Sequence, residues 1–344
     1  FYPPIPWFEE AMLRYVDAAF KLLRWLYDEG YKKLYEYAKA ITYPLLADFL
    51  LQIPGFMDAA MKYLKDSIPI LIDVVDNPGK YLEDEHIKRC IGVLGGDPKE
   101  KLKLKAKDQL GSAQFVLARA FEDFELFEFA EKLFENSKEI SIELGDIDGE
   151  LVSWDRLVRL GVVRGGLDAA KRLRKEFMNI WNRARENRIK LNVDTHDCAL
   201  ANYVLSCLLV EPHRPPSSLM DEFINKYSVV YRTFIGMTYI VEKFYDVKQH
   251  SINRNKVIKE LRRLADDIAP EGIPKDGRGF LALILLYIVG GQFMDARGYA
   301  ENAKKAAVSP LPHRLYGELE KALNAGKLNE EVLNALIKLF YYHY

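Results

Sequence analysis

The densest group of chemically versatile side chains lies at residues 194–198, with the sequence Asp-Thr-His-Asp-Cys. A histidine beside carboxylates and a thiol could bind a metal ion or activate a nucleophile. Zinc needs three or four ligands, and the next candidates along the chain, Cys207 and His213, do not complete a known ligand spacing. Asp194 or Thr195 before an apolar run is typical of a helix N-cap. We therefore expect the start of a helix here and no metal site.

No other segment carries a recognised catalytic or nucleotide-binding motif. Gly95 and Gly96 with Lys99 do not form a phosphate loop, because the Ser/Thr that follows the lysine and the preceding strand are both missing. The GxSxG, HExxH, CxxC and dinucleotide-binding patterns are absent from the sequence. We expect a protein that is not an enzyme and has no cofactor. An enzyme whose active-site residues come from distant helices would escape this search and is the third alternative.

Charge is strongly segregated in the middle of the chain. Residues 111–150 contain 11 acidic and 3 basic side chains, whereas residues 151–190 contain 11 basic and 4 acidic ones. On a helix from Asp168 to Lys190, four basic residues share one face, and we call them the basic stripe. The stripe consists of Arg172, Lys175, Arg183 and Lys190.

The basic stripe has two interpretations. It could bind phosphates of a nucleic acid or an acidic peptide, which would make the protein a nucleic-acid-associated helical subunit. It could equally be a solvated face or pair with the neighbouring acidic segment, including Glu122, Glu125 and Glu128. The net charge is -1 over 344 residues, with 49 basic and 50 acidic side chains. Because the chain as a whole is not basic, we favour the second interpretation and keep nucleic-acid binding as the alternative.

Hydrophobic periodicity predicts helices almost throughout the chain. From Trp7 to Tyr27 a narrow polar stripe at spacings of three and four lies on an otherwise apolar helix, which we expect to be buried on most sides. The one β-capable run, Ile68 to Val75, has no partner run of alternating pattern. The sequence therefore predicts an all-α fold.

Proline and glycine mark where the predicted helices end. We expect a second helix from Tyr31 that bends or ends at Pro44 and resumes to Gln52, followed by separate pieces from Phe56 to Asp66 and from Pro69 to Val75. The break from Gly95 to Pro98 divides the prediction into an N-terminal helical cap or assembly subdomain, 1–95, and a repeat domain, 96–344. Apolar surface left over in the N-terminal helices predicts a homo-oligomer.

Two segments after the break repeat the same pattern in one register. Leu117, Phe121 and Ala130 match Leu283, Tyr287 and Ala296, always 166 positions apart. Large and small residues at these positions let two antiparallel helices approach closely. A weaker third copy surrounds Ala170 and lacks the first-helix tyrosine. The full pattern consists of Leu117, Ala118, Phe121, Phe127, Ala130, Phe134 and Ser137, and of Leu283, Tyr287, Gly291, Phe293, Ala296, Ala300 and Ala303.

This pattern resembles the tetratricopeptide repeat. The resemblance implies an irregular right-handed α-solenoid of helical hairpins at about 111–144, 150–190, 197–228, 229–268, 278–308 and 311 to the end. It also implies a peptide-binding groove lined by the first helix of each hairpin. In the second matching hairpin, Leu281, Leu285, Ile288 and Val289 would form either an apolar groove or a fully packed core. The lysines and asparagines that clamp a carboxyl terminus in some family members are not seen.

The remaining composition limits the class of protein. Three cysteines suit a reducing compartment, and the longest uncharged run, 279–294, is too short and broken to span a bilayer, so we expect a cytoplasmic protein without membrane contact. Five glutamines beside 20 tyrosines and abundant Lys and Glu are typical of a thermophilic source. The aromatic tail at 340–344 must be covered by the chain or by a partner. We expect a non-catalytic scaffold that binds another protein or peptide.

Overall fold

The computed structural model describes residues 6–51, 56–93, 95–164, 228–246, 253–268 and 276–343, together with a few positions between 175 and 274. The described residues form helices joined by short turns and contain no strand, which confirms the all-α prediction. The helices are α1 Pro6–Asp28, α2 Lys32–Leu50, α3 Met57–Asp76, α4 Pro78–Leu82, α5 Glu85–Gly92, α6 Pro98–Asp123, α7 Phe127–Leu144, α8 Ile147–Val163, α9 Ser228–Tyr245, α10 Arg254–Ile268, α11 Gly277–Gly290, α12 Phe293–Ala306, α13 Pro310–Leu323 and α14 Glu330–His343.

The chain forms two compact units. Unit 1 comprises Phe1–Glu122 and Leu126–Ser153, and unit 2 comprises Asp123–Glu125 and Trp154–Tyr344. The predicted boundary at 95/96 lies inside unit 1, whose core contains residues from both sides of it. This core contains Tyr37, Ala40, Leu64, Leu71, Tyr81, Ile87, Ile91, Leu102, Ala106 and Leu110, among others.

Helix α3 corrects the prediction that residues 56–75 form separate pieces. It runs without a break from Met57 to Asp76 with Pro69 inside it. Proline removes one backbone hydrogen bond of a helix, but the buried side of α3 continues on both sides of Pro69, with Leu64 before it and Leu71 after it. Burial of this continuous apolar side outweighs the lost hydrogen bond. In the same way α2 continues from Lys32 to Leu50 through Pro44.

Helix α1 is less buried than its composition predicts. Its principal neighbour is α2, against which Leu23 and Leu26 are buried. Leu22, Trp25 and Tyr27 are 53%, 51% and 68% exposed. The prediction that this helix is buried on most sides is therefore wrong for the part whose side chains are described, because α2 covers only one of its sides.

The two segments that match in sequence also have the same turn. Glu125 and Gly291 both adopt a left-handed conformation, with φ of 60° and 81°. In each turn the amide of the following residue donates to a carbonyl five positions earlier, from Leu126 to Phe121 and from Gln292 to Tyr287, both at 2.8 Å. The amides of Ala130 and Ala296 then begin the next helix in the same way. Both alanines are fully buried, as predicted.

Unit 2 contains three described hairpins that coincide with predicted ones. Helices α9 and α10, α11 and α12, and α13 and α14 pack pairwise, and α9 and α11 also contact α14. Asp276 caps α11, since its carboxylate accepts a hydrogen bond from the Gly279 amide at 2.9 Å. The predicted hairpins at 150–190 and 197–228 lie mostly outside the described residues.

Candidate protein-binding surface

An aromatic cleft of about 280 Å³ opens between α1 and α2 in unit 1. Helix α1 supplies one wall because residues four and seven positions apart lie on the same side of a helix. Helix α2 returns beside it after the tight turn at Gly30, where φ is 78°, and supplies the other wall. We call this the aromatic cleft, and its lining residues are Phe20, Leu23, Arg24, Tyr27, Tyr35 and Tyr43.

Ring contacts hold the walls of the aromatic cleft in place. Tyr27 meets Tyr35 edge-on, with ring centroids 5.5 Å apart, and Tyr43 lies 4.6 Å from Tyr63 of α3. Lys39 reaches over the Tyr43 ring at 5.1 Å while its ammonium group pairs with Asp66 at 3.1 Å. Aromatic pairs of this kind stabilise their own geometry by about 0.5–1.5 kcal/mol each. The cleft is therefore formed before any ligand arrives.

The chemistry of the aromatic cleft is apolar with polar groups at its edge. Partial burial, together with Tyr35, Tyr63 and Asp66, raises the pKa of Tyr43 to about 12, so this phenol stays neutral at physiological pH. Arg24 is exposed, and its guanidinium lies 3.7 Å from Asp28. Aromatic and arginine side chains are the types that most often dominate binding energy at protein interfaces. The cleft can accept an apolar side chain next to a carboxylate.

A second exposed surface lies on a different side of α1. Ala18, Leu22 and Trp25 follow one another at spacings of four and three, so they form a single stripe, which we call the outer stripe. All three are exposed, while the residues that line the aromatic cleft lie on another side of the helix. A surface helix normally has one apolar side, which packs on the core, whereas α1 has apolar residues on two sides.

The basic stripe predicted from the sequence is only partly described. Lys175 and Arg183 are helical and exposed, whereas Arg172 and Lys190 lie outside the described residues. Two glutamates of the acidic segment, residues 111–150, form ion pairs with residues outside the basic stripe. Glu125 pairs with Arg314 of α13, and Glu143 pairs with Lys107 of α6.

The sequence candidates for metal or nucleophile chemistry lie at residues 194–198, outside the described part of the chain. Among the residues that the structure describes, no group of three or more His, Cys, Asp or Glu is placed to hold a metal ion. Cys90 is an exposed free thiol. Within that same part of the chain, no helix is long and apolar enough to cross a membrane.

The second matching hairpin does not offer the apolar groove that its sequence allowed. Leu281, Leu285, Ile288 and Val289 of α11 are all buried within the chain. Of the two alternatives, the fully packed one is therefore correct for this helix. The aromatic tail is also covered by the chain itself as far as it is described, since Phe340 and Tyr341 are fully buried.

A partly buried polar cluster surrounds the end of α14 in unit 2. Arg159 of α8 donates to the carbonyl of Tyr342, and Arg278 of α11 donates to the carbonyl of His343 at 3.1 Å. The Tyr316 hydroxyl donates to the Gly277 carbonyl at 2.8 Å and lies 2.8 Å from Nε2 of His343. Two arginines thus satisfy the last carbonyls of a helix, where positive charge is favourable.

His343 is neutral in this cluster. Burial lowers its pKa to about 3, and the positive charges of Arg278 and Arg159 act in the same direction. A neutral ring that carries its proton on Nε2 can donate to the Tyr316 oxygen, so the pair is satisfied without a charge. The hydrogen bonds of this cluster hold the end of the helix, which is a structural role.

Sequence reasoning did not identify the aromatic cleft, although it named the N-terminal helices as an assembly surface. The spacing of Phe20, Arg24 and Tyr27 on one side of α1 was a usable signal, and so was the spacing of Tyr35 and Tyr43 on α2. Periodicity alone does not show which apolar side of a helix a neighbour covers. No protein family, curated protein or solved structure matches this chain.

Proposed function

We propose that this chain is a non-catalytic helical-repeat scaffold of the right-handed α-solenoid type that binds another protein through the aromatic cleft. The observation that carries the proposal is the preformed cleft itself, with three tyrosines, a phenylalanine and an arginine around a volume of about 280 Å³. Tyrosine, phenylalanine and arginine are enriched at protein interfaces, which supports a protein ligand for this cleft.

The expected ligand is a short protein segment with an aromatic or branched apolar side chain next to an acidic residue. The apolar side chain would enter the aromatic cleft and pack against the touching rings of Tyr27 and Tyr35, and the carboxylate would pair with Arg24 at its rim. An interaction at one such pocket is suited to weak and reversible binding, because most interface energy comes from a few buried anchor residues.

A peptide-display selection on the intact protein tests this function. We expect selected peptides to share an apolar residue beside Asp or Glu, and to lose binding about 10-fold or more to Tyr27→Ala or Arg24→Glu. Phe129→Ala is the matched control, since Phe129 is an equally exposed aromatic residue of α7. Selected peptides that bind all three variants equally well would contradict the proposal.

A further inference from the structure

The rings of the aromatic cleft form two groups, one at each end of the cleft. At one end Tyr27 of α1 meets Tyr35 of α2, with ring centroids 5.5 Å apart, and we call these two residues the first ring pair. At the other end Phe20 of α1 and Tyr43 of α2 both contact Tyr63 of α3, at 6.1 and 4.6 Å. We call Phe20 and Tyr43 the second ring pair. The cleft therefore offers two apolar contact points to a ligand.

The separation of the two ring pairs follows from helix geometry. Phe20 and Tyr27 are seven residues apart on α1, and Tyr35 and Tyr43 are eight residues apart on α2. Because a helix rises by about 1.5 Å per residue, the backbone positions of the two pairs lie about 10–12 Å apart along the cleft. Leu23, which is buried, lines the cleft between them. A segment that contacts both pairs must therefore present two side chains on one side at nearly this separation.

The tyrosines of the aromatic cleft also carry donor groups that the chain itself does not use. Within the described part of the chain, the hydroxyl groups of Tyr27, Tyr35 and Tyr43 make no hydrogen bond. All three side chains remain at least partly accessible to water. Each neutral phenol can donate one hydrogen bond to an oxygen of a ligand. The cleft is therefore suited to a ligand whose backbone carbonyls are free to accept.

We infer that the aromatic cleft binds its protein segment in the polyproline II conformation, with a proline at the second ring pair, three positions from the anchor residue at the first ring pair. The inference rests on the proposed function and specifies the class of ligand for the same cleft. Polyproline II has three residues per turn, so residues three positions apart share one side and lie about 9 Å apart, close to the separation of the ring pairs. Its carbonyls make no internal hydrogen bonds and can accept from the tyrosines. Proline-rich segments of this conformation bind to aromatic-lined grooves.

Other backbone conformations of the ligand fit the aromatic cleft less well. An α-helix presents residues seven positions apart at about 10 Å, but its carbonyls are used by its own hydrogen bonds and leave the three tyrosine hydroxyls without acceptors. A β-strand is bound chiefly by pairing with the edge of a sheet, and no described residue of this chain belongs to a strand. Polyproline II is also formed before binding, so less conformational entropy is lost at a small site. It combines the required spacing with free carbonyls.

Fluorescence anisotropy of the intact protein with two labelled peptides of identical composition tests the spacing. The first peptide, Pro-Ala-Asp-Leu-Ala-Ala-Pro, has proline three positions from leucine on both sides. The second, Ala-Pro-Asp-Leu-Ala-Pro-Ala, has proline two positions away. We expect the first peptide to bind about 10-fold more tightly. Phe20→Ala should abolish this difference, whereas Phe129→Ala, at an exposed aromatic residue of α7, should preserve it. Equal affinities of the wild type for the two peptides would overturn the inference.

Removal of single hydroxyl groups gives a second, independent measurement. Tyr43→Phe keeps the ring and removes the donor, so it should weaken binding of the first peptide by about 2- to 10-fold. Tyr31→Phe is the matched control, since the Tyr31 ring contacts Trp25 and His86 and does not line the cleft.

The conformation of the bound peptide separates this inference from the proposed function. Transferred nuclear Overhauser effects should show the distances of polyproline II, and helical distances would overturn the inference. So would peptide binding that Tyr27→Phe, Tyr35→Phe and Tyr43→Phe all leave unchanged. If display-selected peptides still lose binding to Tyr27→Ala in that case, the proposed function stands and this inference alone fails. Selected peptides that are indifferent to Tyr27→Ala would remove both.

Discussion

His343 shows how surroundings set the chemistry of a single residue. The sequence offers six histidines with nothing to distinguish this one. In the fold it is partly buried beside two arginines, and burial and charge together favour the neutral ring. Its function is to complete the end of a helix, and this can be tested through the pH dependence of stability.

The folded-state pKa of His343, about 3, is below its ordinary value of 6.5. Between these values the unfolded state binds a proton that the folded state excludes, so the free energy of unfolding falls as the pH falls from 6.5 towards 3. We expect His343→Gln to reduce this slope by up to about 1.4 kcal/mol per pH unit. Urea titrations across this range measure it, with His86→Gln as the control because His86 is exposed. Equal slopes for wild type and His343→Gln would contradict the assignment.

Gly277 lies against the same histidine. A Cβ atom at this position would overlap the imidazole of His343, which is fixed by its hydrogen-bond partners. Gly277→Ala should therefore destabilise the protein by about 1–3 kcal/mol, although alanine normally favours a helix. Adding His343→Ala should recover part of this loss in a double-mutant cycle. Gly298→Ala, in open space on α12, should instead stabilise the protein, and the same sign at both glycines would refute the argument.

In unit 2, arginines of neighbouring helices donate hydrogen bonds to the carbonyls at helix C-termini. Arg254, the first residue of α10, donates to the carbonyls of Val289 and Gly290 at 2.9 and 2.7 Å. These are last-turn carbonyls of α11 that have no partner within the helix. We expect Arg254→Met to lower the free energy of unfolding by about 1–3 kcal/mol. Arg262→Met, which removes an exposed arginine from the same helix, should change it by less than about 0.5 kcal/mol in a parallel urea titration.

The repeat-like hairpins depend on small residues at their helix crossings. Ala130 and Ala296 are fully buried, and leucine at either position would add three carbons where no space exists. Ala130→Leu or Ala296→Leu should therefore destabilise by about 1–3 kcal/mol in thermal or urea unfolding. Ala306→Leu on α12 is the control because Ala306 is exposed, and it should have almost no effect. Neutral substitutions at both buried alanines would refute close packing at these crossings.

Features that depend on interactions between residues close in sequence could be predicted from the sequence, and features that depend on residues far apart in the chain could not. The all-α fold and the two matching hairpins were predictable because they depend on local periodicity and small residues such as Ala130 and Ala296. The continuous α3 was not, since the apolar side that carries it past Pro69 is buried by other helices. The cluster around His343 joins Arg159 and Tyr342, 183 positions apart, and no local pattern encodes such a contact. The exposure of α1 was missed for the same reason.

At the scale of the whole molecule, the division into two compact units implies that each unit is stabilised mainly by contacts within itself. Unit 1 has its own core around α2, α3, α5 and α6, and unit 2 packs α9 to α14 together. In chains built from helical hairpins, each hairpin is stabilised mainly by its nearest neighbours. A substitution in one unit should therefore lower protection from exchange mostly near its own position.

Hydrogen exchange measured by mass spectrometry on intact protein tests this distribution. We expect Ala130→Leu to accelerate amide exchange in α6 and α7 while α13 and α14 remain near wild-type protection. Ala296→Leu should do the reverse, since Ala296 lies in α12 of unit 2. The physical reason is that overpacking strains the adjoining helices first, and local opening then costs less free energy there than elsewhere. A uniform loss of protection across both units in either variant would mean that the chain unfolds as one cooperative body.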